Sequence, residues 1–160
     1  MTLPQTGHEH HERIREHIDR LPALADMLER RPIPAEFPAR WATEYDFITG
    51  TLWRHVEVVE VSVYPELERL MQNHHSMTPM RREHAELGRI IEAMGAYTER
   101  VEAGTLTTTD ALGLRRRILA FYALVKTHVA EESEYLRILE GHLSPQEQDA
   151  IVAGLAHAVS

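Results

Sequence analysis

The chain has 160 residues with a formal net charge of −8 and 43% hydrophobic residues, which predicts a single domain over residues 1–160 around one apolar core. Because it contains no cysteine, disulfides, thiolate zinc sites and iron–sulfur clusters are excluded. The negative charge argues against a nucleic-acid partner, since phosphate groups would be repelled. Without a signal-peptide pattern or an apolar run of roughly 20 residues, a cytoplasmic location and no membrane partner are expected.

Apolar residues recur at intervals of three and four along the sequence, which predicts helices and no alternating strands. A first helix is predicted over about residues 8–30, where Pro22 is expected to bend or divide it. After a proline-rich connection, a second helix is predicted over about residues 39–72, with a kink at Pro65.

The third helix is predicted to start at Thr78, where the following proline suits the first turn, and to end near Glu102. The fourth is predicted over about residues 110–140. A capping box, Ser-Pro-Gln-Glu at residues 144–147, predicts a short fifth helix. Four long helices with short connections predict an all-α fold, an antiparallel up-down-up-down four-helix bundle with a short C-terminal fifth helix.

Four histidines recur with the spacing of a repeated helical hairpin. His11 and His55 are separated by the same number of residues as His84 and His128. Apolar residues follow His11 and His84 at the same offsets, so a histidine and an apolar stripe share one helix face. These residues are Ile14, Ile18 and Leu21 after the first histidine, and Leu87, Ile91 and Met94 after the second. Four inward-facing histidines on four helices predict a metal site within the bundle.

The fourth helix adds a carboxylate to this site. His128 and Glu132 are four residues apart and therefore lie on one helix face, within an apolar stripe. An imidazole and a carboxylate inside such a stripe are costly without partners, and an iron ion would satisfy both. The adjacent Glu131 falls at the edge of the stripe and is expected to point outward or to support a ligand.

The second helix departs from this pattern. Four residues after His55 comes Val59 and not a carboxylate. Glu57 should point away from His55 on an ordinary helix. Glu60 could join His55 at one metal if a single-turn π-bulge widened the helix between residues 55 and 60. An ordinary α-helix there, with Glu60 at the surface, would reject this hypothesis.

The order of these motifs resembles the hemerythrin-like, or HHE cation-binding, family over about residues 10–140. The matching segments are His10-His11-Glu12-Arg13-Ile14, His55 to Tyr64-Pro65-Glu66-Leu67, Arg82-Glu83-His84-Ala85-Glu86-Leu87 and His128-Val129-Ala130-Glu131-Glu132. The resemblance implies an antiparallel four-helix bundle around a non-haem di-iron centre, used for oxygen, nitric oxide or peroxide chemistry or for iron handling.

Carried over by position, the resemblance implies five iron ligands: His11, His55, His84, His128 and Glu132. The family's first carboxylate falls on Val59, which cannot bind metal. Glu60 or another residue then substitutes, or one iron binds in place of two. His10 is an alternative to His11 as the ligand from the first helix. His11 is favoured because it keeps register with His84. Tyr45 and Tyr135 could lie near the site as hydrogen-bond donors that support the ligands, although packing is the favoured role for both. Tyr64 is assigned to packing.

Four functions follow as hypotheses. The first is a non-haem iron protein with two irons per chain that binds or reacts with dioxygen, nitric oxide or peroxide. The second is a di-iron oxidase or oxygenase acting on a small organic substrate; an enzyme of either kind would be an oxidoreductase, including a peroxidase-like one. The third is a haem-binding or mononuclear metal-binding bundle, and the fourth is a bundle without metal. The sequence does not indicate an oligomeric state.

Overall fold

The computed structural model describes the backbone of residues 3–157 and the side chains of residues 11–149, Ile151 and Ala153. This part of the chain is helical and contains no strand, which confirms the predicted all-α class. The elements are α1 (Leu3–Ile18), α2 (Leu21–Met27), α3 (Phe37–Phe47), a π-helical turn (Ile48–Leu52), α4 (Trp53–Ser62), α5 (Tyr64–Leu70), α6 (Thr78–Gly95), α7 (Thr98–Glu102), α8 (Thr108–Glu140) and α9 (Pro145–His157).

Prolines explain where the predicted long helices are divided. Pro22 lies in the first turn of α2, and Pro65 lies in the first turn of α5. Proline has no amide hydrogen to bond to the preceding turn, so it starts a helix more easily than it continues one. The predicted first helix is therefore α1 followed by α2, and the predicted second helix runs from α3 to α5.

Helix α8 is the longest element, with 33 residues, and packs against α1, α2 and α6. A capping box sets its start: the Asp110 amide donates to Thr107 Oγ1 at 3.1 Å, and the Thr107 amide donates to Asp110 Oδ2 at 3.0 Å. The predicted capping box before the last helix is also present. There the Ser144 amide donates to Glu147 Oε2 at 2.8 Å, which satisfies an amide that the helix would otherwise leave unpaired.

The buried side chains form two apolar clusters with a polar layer between them. Along α6, α8 and the stretch from the π-helical turn into α4, residues of the two clusters lie on opposite sides of the predicted ligands. The first cluster includes Ile14, Leu52, Leu87, Val125 and Val129, and the second includes Val59, Tyr64, Met80, Leu136 and Leu139. Polar groups in such a layer are cut off from water and must find partners within it.

The widened helical turn lies elsewhere than predicted. Residues 55–60 belong to the α-helical segment Trp53–Ser62, whereas the π-helical turn is at Ile48–Leu52. The hypothesis of a π-bulge that brings Glu60 beside His55 is therefore wrong. Among the described residues, no helix combines the length and the apolar character that crossing a bilayer requires.

Candidate metal centre

Five predicted ligands meet in the polar layer. They come from α1, α4, α6 and α8, and none is more than 2% exposed. They form two groups that share one carboxylate, and within each group the ligand atoms lie within 4.8 Å of one another. The groups are His11, His55 and Glu132, and His84, His128 and Glu132.

The Glu132 carboxylate divides its oxygens between the two groups. Its Oε2 atom lies 2.8 Å from His55 Nε2 and 3.1 Å from His11 Nε2. Its Oε1 atom faces the other side, 4.0 Å from His128 Nε2. One oxygen towards each histidine pair is the arrangement in which a single carboxylate can bridge two cations.

The Nε2 atoms of His84 and His128 face each other at 2.9 Å. Their Nδ1 atoms donate outward, to Glu60 Oε1 and Glu83 Oε2 respectively, each at 2.7 Å. A neutral imidazole that donates through Nδ1 presents a lone pair at Nε2. Two such lone pairs repel at this distance unless a cation lies between them, so the pair is poised to share one.

The distance also fits a metal ion. Two nitrogens bound to one ion at about 2.1 Å, with an angle near 90° between them, lie about 3 Å apart. Imidazole and carboxylate donors suit iron and other transition ions. The donor set and its spacing therefore fit a metal site better than a hydrogen-bonded core.

Glu60 does not join the ligand groups. Its carboxylate is 35% exposed and accepts the outward hydrogen bond of His84. Val59, where the resemblance implied a carboxylate, is 1% exposed and packs in the second apolar cluster. The structure thus places Glu60 behind His84, outside the two ligand groups that it was predicted to join. Glu57 and Glu131 are exposed and point outward, while the side chain of His10 lies outside those described.

Tyr64 is one of the residues at the site that sequence reasoning missed. Its hydroxyl donates to Glu132 Oε1 at 3.1 Å and lies 3.3 Å from His84 Nε2, and the ring stacks on the His84 imidazole. Tyr45 instead donates to the Ile91 carbonyl at 3.3 Å, and Tyr135 packs at the edge of the second cluster. On an unbroken helix Tyr64 would lie about half a turn away from His55. Tyr64 instead begins α5, after α4 has ended at Ser62, and its side chain is buried.

The electrostatics of the site favour cation binding. Burial lowers the pKa of His11, and burial together with His128 lowers the pKa of His84. Burial raises the pKa of Glu132, but the charge of His55 and hydrogen bonds from His11 and His55 outweigh it and hold that pKa well below its usual range. Metals bind neutral imidazoles and ionised carboxylates, which are the forms these shifts favour at neutral pH.

Tyr64 remains a phenol in this setting. Burial, followed by the charge of Glu132, raises its pKa far above the usual range. The hydroxyl therefore keeps its proton and donates it in a hydrogen bond to Oε1. Its oxygen also lies close enough to His84 Nε2 to be a further donor to a cation held there.

Comparison with known protein families assigns the chain to one of them. The sequence profile of the hemerythrin HHE cation-binding domain matches residues 5–139, and the protein belongs to this family. That match confirms the resemblance seen in the motifs. No curated protein and no solved structure matches the chain.

Proposed function

We propose that the protein is a non-haem iron protein that holds two irons and binds or reacts with dioxygen, nitric oxide or peroxide. The observation that carries this proposal is the approach of His84 Nε2 to His128 Nε2 at 2.9 Å, beside a buried carboxylate that offers one oxygen to each histidine pair. We further infer an antiparallel up-down-up-down arrangement of the four long helical stretches, supported by the packing of α8 against α1 and α6.

The two ions would be held by different histidine pairs that share the Glu132 carboxylate. One position, named the 84/128 position, is formed by His84, His128 and Glu132 Oε1, with the Tyr64 oxygen beside it. The other, named the 11/55 position, is formed by His11, His55 and Glu132 Oε2. Bound iron would supply redox chemistry towards small oxygen- and nitrogen-containing ligands.

The chain contributes a dry, small site with few donors. Val59 supplies no oxygen where the family has a carboxylate, so coordination positions remain for an external ligand. The surrounding residues are aliphatic and buried, including Leu52, Val59, Leu87, Val125 and Leu136. Such walls exclude water and favour a ligand of a few atoms over a bulky polar substrate.

Metal analysis tests the proposal most directly. Metal-free protein is loaded anaerobically with Fe(II), desalted and assayed for iron, and its absorption is recorded before and after nitric oxide or peroxide is added. We expect about two irons per chain by the two-group geometry and a change in the spectrum on adding the ligand. His128→Ala and Glu132→Ala should lose iron, with Glu132→Ala affecting both positions.

The matched control is His142→Ala, because His142 is exposed in the turn after α8 and its Nδ1 donates to the Ile138 carbonyl, away from the ligand groups. This variant should bind iron like the unmodified chain. No bound iron, or equal loss in all three variants, would refute the proposal. An intense Soret band in the purified protein would instead indicate haem.

A further inference from the structure

We infer that Glu60 and Glu83 favour the ferric state of the bound iron, because they supply through His84 and His128 negative charge that the ligand groups themselves lack. Each carboxylate acts through a histidine, as a positioning residue, and does not bind the metal. This inference rests on the proposed function, since it concerns the oxidation state of iron held at the same site.

The two ligand groups carry little negative charge for a site that holds two cations. They combine four histidines with one carboxylate, Glu132. Neutral imidazoles add no charge, so two ferrous ions beside one carboxylate leave a formal charge of about +3 before an external ligand binds. A ferric ion adds one more positive charge to a core buried from water, where unbalanced charge is costly. Further negative charge close to the ligands therefore stabilises the ferric state more than the ferrous one.

Two carboxylates lie directly behind the 84/128 position. Glu60 on α4 accepts a hydrogen bond from His84 Nδ1, and Glu83 on α6 accepts one from His128 Nδ1, each at 2.7 Å. The two imidazoles are only 2% and 3% exposed. A carboxylate on the outer nitrogen of a metal-binding histidine makes the inner nitrogen a stronger donor, and stronger donation favours the ion of higher charge.

The charges of these two carboxylates are directed at the histidines. Within the described part of the chain, neither Glu60 nor Glu83 forms an ion pair with an arginine or a lysine. Arg81 donates to the Glu60 backbone carbonyl at 3.4 Å, but its guanidinium pairs with the Glu68 carboxylate. Since the Glu60 and Glu83 side chains are 35% and 25% exposed, water screens part of their charge. We therefore expect an effect of about tenfold for each carboxylate, the lower end of the usual range for such supports.

Redox titration of the iron-loaded protein tests the inference. Full-length protein is loaded anaerobically with Fe(II), desalted and assayed for iron, and its midpoint potentials are measured by spectroelectrochemistry at the ferric absorption band. Glu60→Gln and Glu83→Gln each remove one negative charge but keep an oxygen that can accept the histidine hydrogen bond. Each should lower the preference for Fe(III) over Fe(II) about tenfold, which raises the potential of at least one one-electron step by about 59 mV.

Alanine variants separate charge from ring orientation. Glu60→Ala and Glu83→Ala remove both the charge and the acceptor, and should raise the potential at least as much as the matching glutamine variants. Glu57→Gln and Glu86→Gln are the matched controls, because Glu57 lies on α4 with Glu60 and Glu86 lies on α6 with Glu83, but both are exposed. They remove the same charge from the same helices and should leave the potentials unchanged. Thermal unfolding of the metal-free variants checks that each one folds.

An unchanged potential in either glutamine variant would overturn the inference while the proposed function stands. In particular, glutamine variants that keep the potential while the alanine variants raise it would show that the carboxylates act through ring orientation and not through charge. Equal shifts in the control variants would also overturn it, because any surface carboxylate would then have this effect. An unmodified chain that binds no iron would refute the proposed function, and the inference with it.

Discussion

Trp53 lies across helix α6 at Gly88, so closely that a side-chain carbon built at Gly88 would come within 2.9 Å of the Trp53 ring. Gly88 is one helical turn after His84, on the same side of α6. The missing side chain therefore makes room for an indole that covers the bundle next to the site. A small residue is needed here because of the ring and not because of the helix.

Gly88→Ala tests this relationship when combined with Trp53→Leu. Alanine within a helix normally stabilises by roughly 0.5–1 kcal/mol relative to glycine. In the presence of Trp53 we expect the clash to cancel this gain or reverse it, whereas in the Trp53→Leu protein the gain should appear. Urea unfolding of the four proteins measures the difference. Equal effects of Gly88→Ala in both backgrounds would show that the ring does not restrict this position.

Val59→Glu tests the position at which the family resemblance implies a carboxylate. A new carboxylate at this buried site has no partner in the metal-free protein, so we expect a loss of about 3 kcal/mol or more in the free energy of unfolding. Bound iron should recover much of that loss by giving the carboxylate a counter-charge. Thermal unfolding with and without Fe(II) measures both effects, with Val59→Gln as the uncharged comparison. A larger loss with iron than without it would contradict the expectation.

Tyr64→Phe removes the only described hydroxyl that donates to Glu132 Oε1. A hydrogen bond to a buried carboxylate contributes more than a neutral one, so the metal-free protein should lose about 2 kcal/mol of stability. Tyr45→Phe is the control, since its hydroxyl bonds to a backbone carbonyl at 3.3 Å outside the site. Denaturant unfolding should show the smaller loss for Tyr45→Phe, and the reverse order would show that the Tyr64 bond contributes little.

The lowered pKa of His84 predicts a loss of stability on acidification. The unfolded chain takes up a proton near pH 6.5, whereas burial and His128 keep the folded imidazole neutral to lower pH. Since the unfolded state binds more protons in this window, stability falls as pH drops below about 6.5, by up to about 1.4 kcal/mol per pH unit. The depressed pKa of Glu132 adds a further loss below its unfolded value of 4.5.

His84→Asn isolates the histidine contribution. The stability advantage of the unmodified metal-free chain over this variant should shrink as the pH falls from about 7.5 to about 5.5. Urea unfolding across this range measures it, with His142→Asn as the exposed comparison. A constant difference between the two proteins would show that His84 does not resist protonation.

The candidate ligands could be predicted because each lies in an unbroken stretch of helix. His128 and Glu132 share a regular face of α8, and the register of His11 with His84 follows from the apolar residues after them. Five residues were placed together by periodicity and by family resemblance, and the structure brings them together.

The supporting residues depend on contacts between helices that periodicity does not encode. Glu83 precedes His84 in sequence but bonds to His128 on the neighbouring helix. Ser133 on α8 bonds to His11 on α1. Tyr64 lies at the boundary between α4 and α5, and the rotation at such a break is not set by the sequence pattern. The sequence pattern likewise does not show where a helix widens, so the π-helical turn predicted at residues 55–60 lies instead at Ile48–Leu52.

That turn has a consequence for how the chain can change in length. A π turn holds one residue more than an α turn, and a side chain built at Gly50 would meet nothing within 4 Å. Deleting Gly50 should restore a regular helix and leave His55 facing inward, whereas deleting Arg54 should rotate His55 by about 100°. The second helical stretch thus contains one place where evolution, or a protein engineer, can shorten the chain without turning a ligand out of the core.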